Sequence, residues 1–242
     1  MWTATALASE AFEQEGIAWR VVEDQYTAST RKVVDTKNDQ ELLENILEES
    51  KPFVPHGAEK LHYLLQTPFR YSSPYPIGSR FRRTGSTEGV FYAAEEIRTA
   101  LAELCYYRLN FFRESPGTPF PCQQERLTVF SISYHSSSTL SLVQTPFVEN
   151  KEIWTHPSNY EATQAFADTV RQAGIEIICY ESVRDIKKRL NIALLSPNAF
   201  SANSPIKMQT WFLYLSEAEV NCERANASHL DDYLTFKLDQ FD

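Results

Sequence analysis

The feature that most limits the fold is one long amphipathic helix set between strand-like runs. From near Ala94 onward, Ile97, Leu101, Leu104, Cys105 and Arg108 recur at i, i+4, i+7, i+8 and i+11, which puts them on one helical face. Gly89-Val90-Phe91-Tyr92-Ala93, just before it, reads as a short apolar strand. A loop with Pro116, Pro119 and Pro121 follows the helix, and then a strand from Arg126 to Tyr134. Residues 159–173 read as helix, and 176–180 and 191–195 as strands. Met208 to Ser216 and Ala218 to Arg224 read as a terminal antiparallel pair. Helices and strands mix without a regular βαβ alternation, which favours an α+β fold over a doubly wound sheet.

The N-terminal region has a different texture. Asp39 to Glu49 carries Leu42, Leu43, Ile46 and Leu47 at one-sided helical spacing, with Asn38 or Asp39 as N-cap. Val21, Val22, Gln25 and Ser29 fall at helical spacing, though only two are apolar. Pro52 and Pro55 interrupt the pattern, and His56 to Gln66 reads as a short helix ending before Pro68. The expected organisation is a helical extension over 1–66 packed on a main domain over 67–227, with an acidic C-terminal tail over 228–242. The length of 242 residues allows one large domain with such an appendage.

Composition removes several classes of function. Apolar residues make up 43% of the chain and charged residues 23%, so it is globular rather than disordered. A net charge of −9 argues against general binding to nucleic acid or anionic membranes. No apolar stretch approaches the roughly 18 residues of a spanning helix, and no basic-then-apolar leader opens the sequence. The expectation is a cytoplasmic chain. Cys105, Cys122, Cys179 and Cys222 are scattered without a C-x-x-C pair and read as reduced thiols. Five histidines with no i, i+4 pair give no support for a metal site. P-loop, G-x-G-x-x-G and G-x-S-x-G motifs are absent.

Charge is unevenly distributed. Lys60 to Arg83 holds five basic residues (Lys60, Arg70, Arg80, Arg82 and Arg83) and no acid. This is either chance clustering on a solvated face or a local anion pocket, since guanidinium forks bind phosphates bidentately. Composition alone does not decide between them.

Four blocks are recognisable together. Phe69-Arg70-Tyr71, Ser79-Arg80-Phe81-Arg82-Arg83, Gly89-Val90-Phe91-Tyr92-Ala93 and Thr99-Ala100-Leu101-Ala102-Glu103 resemble the RES domain family, named for its Arg, Glu and Ser. Its serine block resembles Tyr180-Glu181-Ser182-Val183-Arg184, followed by the strand from Asn191 to Leu195. The resemblance covers roughly residues 67–200. Trp19-Arg20-Val21-Val22-Glu23 and Ser50-Lys51-Pro52 resemble the extension of a longer subgroup. The segment after Arg80 departs from the Arg-Trp/Phe-Asn-Pro type of shorter members.

The resemblance implies a bacterial toxin with a fold similar to ADP-ribosyltransferases that consumes NAD⁺ as substrate, by hydrolysis or phosphorolysis, without a metal. It also implies an Xre-type helix-turn-helix antitoxin as partner, and a homodimer is a further expectation. The alternatives are a protein ADP-ribosyltransferase using the same pocket, or a silent nucleotide- or partner-binding protein. The candidate catalytic residues are Glu103, Arg80 and Ser182; Arg70, Tyr71, Tyr92, Arg82 and Arg184 are candidates for holding NAD⁺. The chemistry suits them. A carboxylate stabilises an oxocarbenium-like ribose, arginines hold a pyrophosphate, and tyrosines stack on nicotinamide or bond around its ribose.

Each residue also has a plain reading. Glu103 lies opposite the Ile97–Leu101–Cys105 stripe, which without the resemblance is a solvated face. Tyr92 would be core, and Ser182 a turn or cap residue with no histidine beside it to make it a nucleophile. Arg82 and Arg83 read as surface charges. Arg184 either pairs with an acid or reaches a phosphate. His135 and His156 read as surface or structural residues.

Overall fold

The computed structural model describes residues 2–24, 33–73, 76–115 and 117–241. Eight strands form one sheet: β1 (Phe12–Glu23), β2 (Phe91–Ala94), β3 (Glu125–Ser141), β4 (Ile177–Glu181), β5 (Leu190–Leu194), β6 (Lys207–Leu215), β7 (Glu219–Arg224) and β8 (Tyr233–Lys237). Their order is β1-β2-β5-β4-β3-β6-β7-β8, and β1 also pairs with β3. That extra pairing closes the first five strands into a ring, while β6, β7 and β8 extend from it as a flap. All pairings are antiparallel except β3 with β4 at Thr139 to Ser141. Between those two parallel strands run α5 (Lys151–Trp154) and α6 (Glu161–Gln172), the crossover that a parallel pair needs.

The α+β expectation holds, with one large correction near the N-terminus. Residues 12–23 are not part of a helical extension. They form β1, which pairs with β3 from Phe12↔Thr139 to Glu23↔Leu127 and stands inside the sheet. The reason is legible after the fact. Phe12, Gln14, Gly16 and Ala18 face inward in alternation with exposed Glu13, Glu15 and Ile17, and Ile17, Val21 and Val22 are β-branched. Val21 and Val22 therefore belong to a strand; Gln25 and Ser29 lie outside the described residues. Among the described residues, helix enters this region as α1 (Ala4–Ser9), α2 (Lys37–Ser50) and α3 (Tyr63–Arg70). The C-terminal residues likewise are not simply a tail, because β8 pairs with β7 from Glu219↔Lys237 to Glu223↔Tyr233.

Smaller corrections concern helix ends. The N-cap of α2 is Thr36, whose hydroxyl accepts from the Asp39 amide at 3.2 Å. Helix α3 starts later than expected and runs through Pro68. Proline removes one amide, but burial of Leu64, Leu65 and Phe69 holds the turn. The long helix is α4 (Ile97–Arg113), not from Ala94, because Ala94 is still in strand pairing with Asn191.

Three apolar clusters surround the sheet. Helix α3 packs on Phe91, Phe130, Ile132, Ile177 and Ile192. Helix α6 buries Phe166, Ala167 and Val170 with Leu140, Ile178 and Ala193. Leu101, Ala102, Cys105 and Leu109 of α4 cover Leu127, Val129, Trp211, Leu213, Val220 and Phe236. The last cluster also holds Cys105 and Cys222, whose sulfurs lie 3.5 Å apart as free thiols. Helix α2 buries none of its residues and is tied down through Arg70, which bonds Glu48 and the Pro52 carbonyl.

Gly89, just before β2, lies against α3 so closely that a Cβ would overlap the Cα of Phe69 and come 2.6 Å from the Pro68 carbonyl oxygen. Both obstacles are close to the backbone and cannot rotate away. Gly89→Ala is therefore expected to destabilise the fold by about 1–3 kcal/mol, as overpacking does, read as a lowered urea midpoint with an unchanged slope.

Candidate functional site

The site is built where β4 and β5 end beside α4. Tyr180 pairs with Asn191 across β4 and β5, and Ser182 follows directly, its amide bonding the Arg189 carbonyl at 2.8 Å. Residues 182–189 form the connecting loop, which α4 grips by its first turn. Thr99, fully buried, donates to the Asp185 carboxylate at 2.6 Å. Arg189 bridges Asp185 at 2.8 Å and Glu96 at 3.0 Å. Burial by itself would raise the Asp185 carboxyl, but donation from Thr99, the Lys187 amide and Arg189 outweighs it and holds the group below its ordinary 3.8.

One turn beyond Thr99, Glu103 points at the same loop. Its Oε1 accepts from Ser182 Oγ at 2.6 Å and from Asn191 Nδ2 at 2.7 Å. No described residue donates to Oε2. On the face of α4 opposite the Leu101–Cys105 stripe, Glu103 is thus half-buried against the loop, while Tyr107 one turn further on is exposed.

Ser182 is fully buried, and its oxygen also accepts from the Arg184 and Asp185 amides at 3.2 and 3.1 Å. Its proton is directed to Glu103 and its lone pairs to the loop. The expected catalytic serine, or donor to a phosphate or amide, is in this structure a turn organiser that orients the carboxylate.

Arg80 is 7% exposed and enters from the other side. Its Nη1 donates to the Trp154 carbonyl at 2.5 Å, and its guanidinium carbon lies 5.0 Å from the Tyr160 ring centre and 5.9 Å from that of Tyr180. Arg184 is equally sunk. Its guanidinium stacks 3.3 Å above Tyr106, and Nη2 donates to the Pro157 carbonyl. Arg184 thus stacks and caps a loop instead of pairing with an acid. Each arginine uses one nitrogen on a carbonyl; no described residue accepts from the remaining side-chain nitrogens.

Tyrosines fill the space between these charges. The Tyr92 hydroxyl accepts from the Phe81 amide at 2.9 Å and lies 2.9 Å from Ser79 Oγ, so it pins the loop carrying Arg80. Burial raises the Tyr92 and Tyr180 phenols, and Tyr180 also feels both Glu103 and Arg80. Tyr107 is raised by desolvation, by Tyr160 and by Glu103, with Arg184 opposing. Glu103 therefore shares Tyr180 with Arg80 and Tyr107 with Arg184.

Three expected residues lie elsewhere. Arg70 is committed to Glu48 and Pro52 and holds α2. Tyr71 is half-exposed, with its carbonyl taken by Arg82. Arg82 donates to Tyr71, to Ser86 at 3.1 Å and to Pro68 at 3.5 Å, and burial lowers its pKa; it staples a loop instead of facing an anion. The run Arg80-Phe81-Arg82-Arg83 divides sharply, because Phe81 is core and Arg83 pairs with Asp168 at 2.9 Å.

Sequence reasoning missed Asn191, Tyr107 and Tyr160. Only Asn191 left a local signal, a polar residue opening an apolar strand. His135 bonds Glu13 at 2.9 Å and His156 accepts from the Asn159 amide at 2.9 Å, both local structural roles. A cavity of about 380 Å³ lined by Phe69, Glu88, Arg171 and Leu195 shares none of the Glu103 group. No group of three potential metal ligands occurs among the described residues, and no described helix is long and apolar enough to cross a membrane.

The fold and site define an α+β protein with one helix-borne carboxylate set among tyrosines and two sunken arginines. The family model of the RES domain matches residues 54–216, and the chain belongs to that family. In broad terms this makes it a RES-type, toxin-like protein. None of the curated proteins matches the sequence. Strand β1, though integral to the sheet, lies outside the matched span.

Two measurements test this construction. Tyr92→Phe leaves the Phe81 amide without its acceptor and is expected to cost about 1–3 kcal/mol in chemical denaturation. Asp185 has a folded pKa below its unfolded one, so its stabilisation is present above pH 3.8 and lost as pH falls through the folded value. Asp185→Asn should flatten the acid limb of the stability–pH curve; an unchanged limb would show that the clamp carries no charge-dependent stability.

Proposed function

We propose that this protein cleaves the nicotinamide–ribose bond of NAD⁺ by hydrolysis or phosphorolysis, as a RES-type toxin that depletes the dinucleotide. The observation supporting this is Oε2 of Glu103, to which no described residue donates, on a carboxylate held by two donors and sharing neighbours with two arginines whose remaining N–H groups have no acceptor among the described residues. Breaking that bond leaves positive charge on the ribose while neutral nicotinamide departs. A fixed carboxylate lowers the energy of that charge more than the energy of the ground state, which is the condition for acceleration. Arg80 and Arg184 supply positive charge for the pyrophosphate. The tyrosines around these charges supply flat rings on which the aromatic base can stack. Ser182 acts through Glu103 rather than as a nucleophile.

The partner that suits this reading is an Xre-type helix-turn-helix antitoxin covering the surface around Glu103. Exposed Tyr107 and Ile186 beside the site offer it apolar contact.

The test is nicotinamide release from NAD⁺ by the purified protein, with and without inorganic phosphate. Glu103→Ala is expected to lower release at least about a hundredfold, the scale for losing one electrostatic stabiliser, while leaving the fold intact by circular dichroism. Dependence on phosphate identifies phosphorolysis. No release by the wild type in either condition, with labelled NAD⁺ incorporated into another protein, moves the reading to protein ADP-ribosylation.

A further inference from the structure

We infer that Glu103 works through a single oxygen, and that Asn191 is the positioning residue that makes it so. A glutamate on a helix has three rotatable side-chain bonds, and its two oxygens are chemically equivalent unless something distinguishes them. Here both donors converge on Oε1, from different elements. Ser182 Oγ reaches it at 2.6 Å from the end of β4, and Asn191 Nδ2 at 2.7 Å from the start of β5. Both donors are themselves fixed. Asn191 is 3% exposed and pairs through its backbone with Tyr180 on one side and Ala94 on the other, while Ser182 is fully buried under two loop amides.

Two donors on one oxygen from two directions fix the carboxylate plane, which one donor would leave free to turn. They also leave Oε2 as the oxygen presented to a bound molecule. The two donors differ in one respect. Ser182 stands in the loop just beyond β4, whereas Asn191 lies within β5 and is paired through its backbone on both sides. Asn191 is therefore the stricter of the two.

The kinetic arm of this inference rests on the NAD⁺ reading; its structural arm does not. With NAD⁺ as substrate, Asn191→Ala is expected to reduce kcat for nicotinamide release about ten- to a hundredfold with KM within about threefold, since a misaimed group loses the transition state more than the ground state. Ser182→Ala should show the same split. Asn191→Asp, nearly isosteric but lacking the donor and placing a second carboxylate against Oε1, should fall at least as far as Asn191→Ala. A kcat retained in Asn191→Ala or Asn191→Asp overturns the inference. So does a loss confined to KM.

The structural arm is read by NMR on the side-chain amide protons of Asn191. They should exchange with solvent at least about tenfold more slowly in the wild type than in Glu103→Ala, whether or not the protein turns over NAD⁺. Equal exchange rates overturn the inference. A wild type without nicotinamide release but with this protection defeats the NAD⁺ reading while leaving Asn191 as the mount of Glu103.

Discussion

Strand β3 is the constraint on which the rest depends. Over 17 residues it pairs with β1 along one edge, and along the other with β6 at its start and β4 at its end. A single strand thus joins the closed ring, the flap and the parallel pair with β4. It is buried on both faces, continuously from Leu127 to Ile132 and again from Thr139 to Ser141, and so feeds all three apolar clusters. The β4–β5 pair, which carries Ser182 and Asn191, owes its place in the ring to β3. So does α4, whose buried face lies on Leu127 and Val129. The site sits at a seam between elements that one strand has already aligned.

The site itself divides labour between charge and mount. Glu103, Arg80 and Arg184 carry the charge; Asn191, Ser182, Tyr92, Thr99 and Asp185 hold it. Buried polar groups are costly unless each is satisfied, and here most bonds run between elements far apart in sequence. Thr99 to Asp185, Ser182 to Glu103 and Asn191 to Glu103 lock α4 to the β4–β5 loop. Stability and aim are therefore coupled, and a change that loosens the mount acts on both.

Much of this was legible in the sequence because its signals are local. The stripe from Ile97 to Arg108 gave α4, and short apolar runs gave β2, β4 and β5. Blocks in the right order pointed to Arg80, Tyr92, Glu103, Ser182 and Arg184, which the structure gathers. Other features depend on what lies across space. Arg70 and Arg82 looked like anion ligands because guanidinium chemistry suits phosphate, yet the same chemistry suits carbonyls and a glutamate, and their neighbours supply those. Strand β1 carries its signal in the period-two alternation from Phe12 to Ala18, upstream of Val21 and Val22, whose spacing alone fits a helix. Tyr107 and Tyr160 left no pattern, since their role comes only from proximity to Glu103 and Arg80.

The pairing of β1 with β3 has a consequence for how the molecule comes into being. Phe12 meets Thr139, a separation of 139 − 12 = 127 residues, and Glu23 meets Leu127, 127 − 23 = 104 residues apart. During synthesis β1 leaves the ribosome long before β3 exists, and the ring strands β4 and β5 come later still. Contacts of such long range form slowly because loop closure precedes any gain from them. Synthesis at about 5–20 residues per second leaves β1 without β3 for roughly 5–25 seconds. The carboxylate mount follows the same schedule, because Glu103 awaits Asn191, 191 − 103 = 88 residues downstream. A nascent or truncated chain carries the charged residues without their aim, and the site comes into existence only with the near-complete fold.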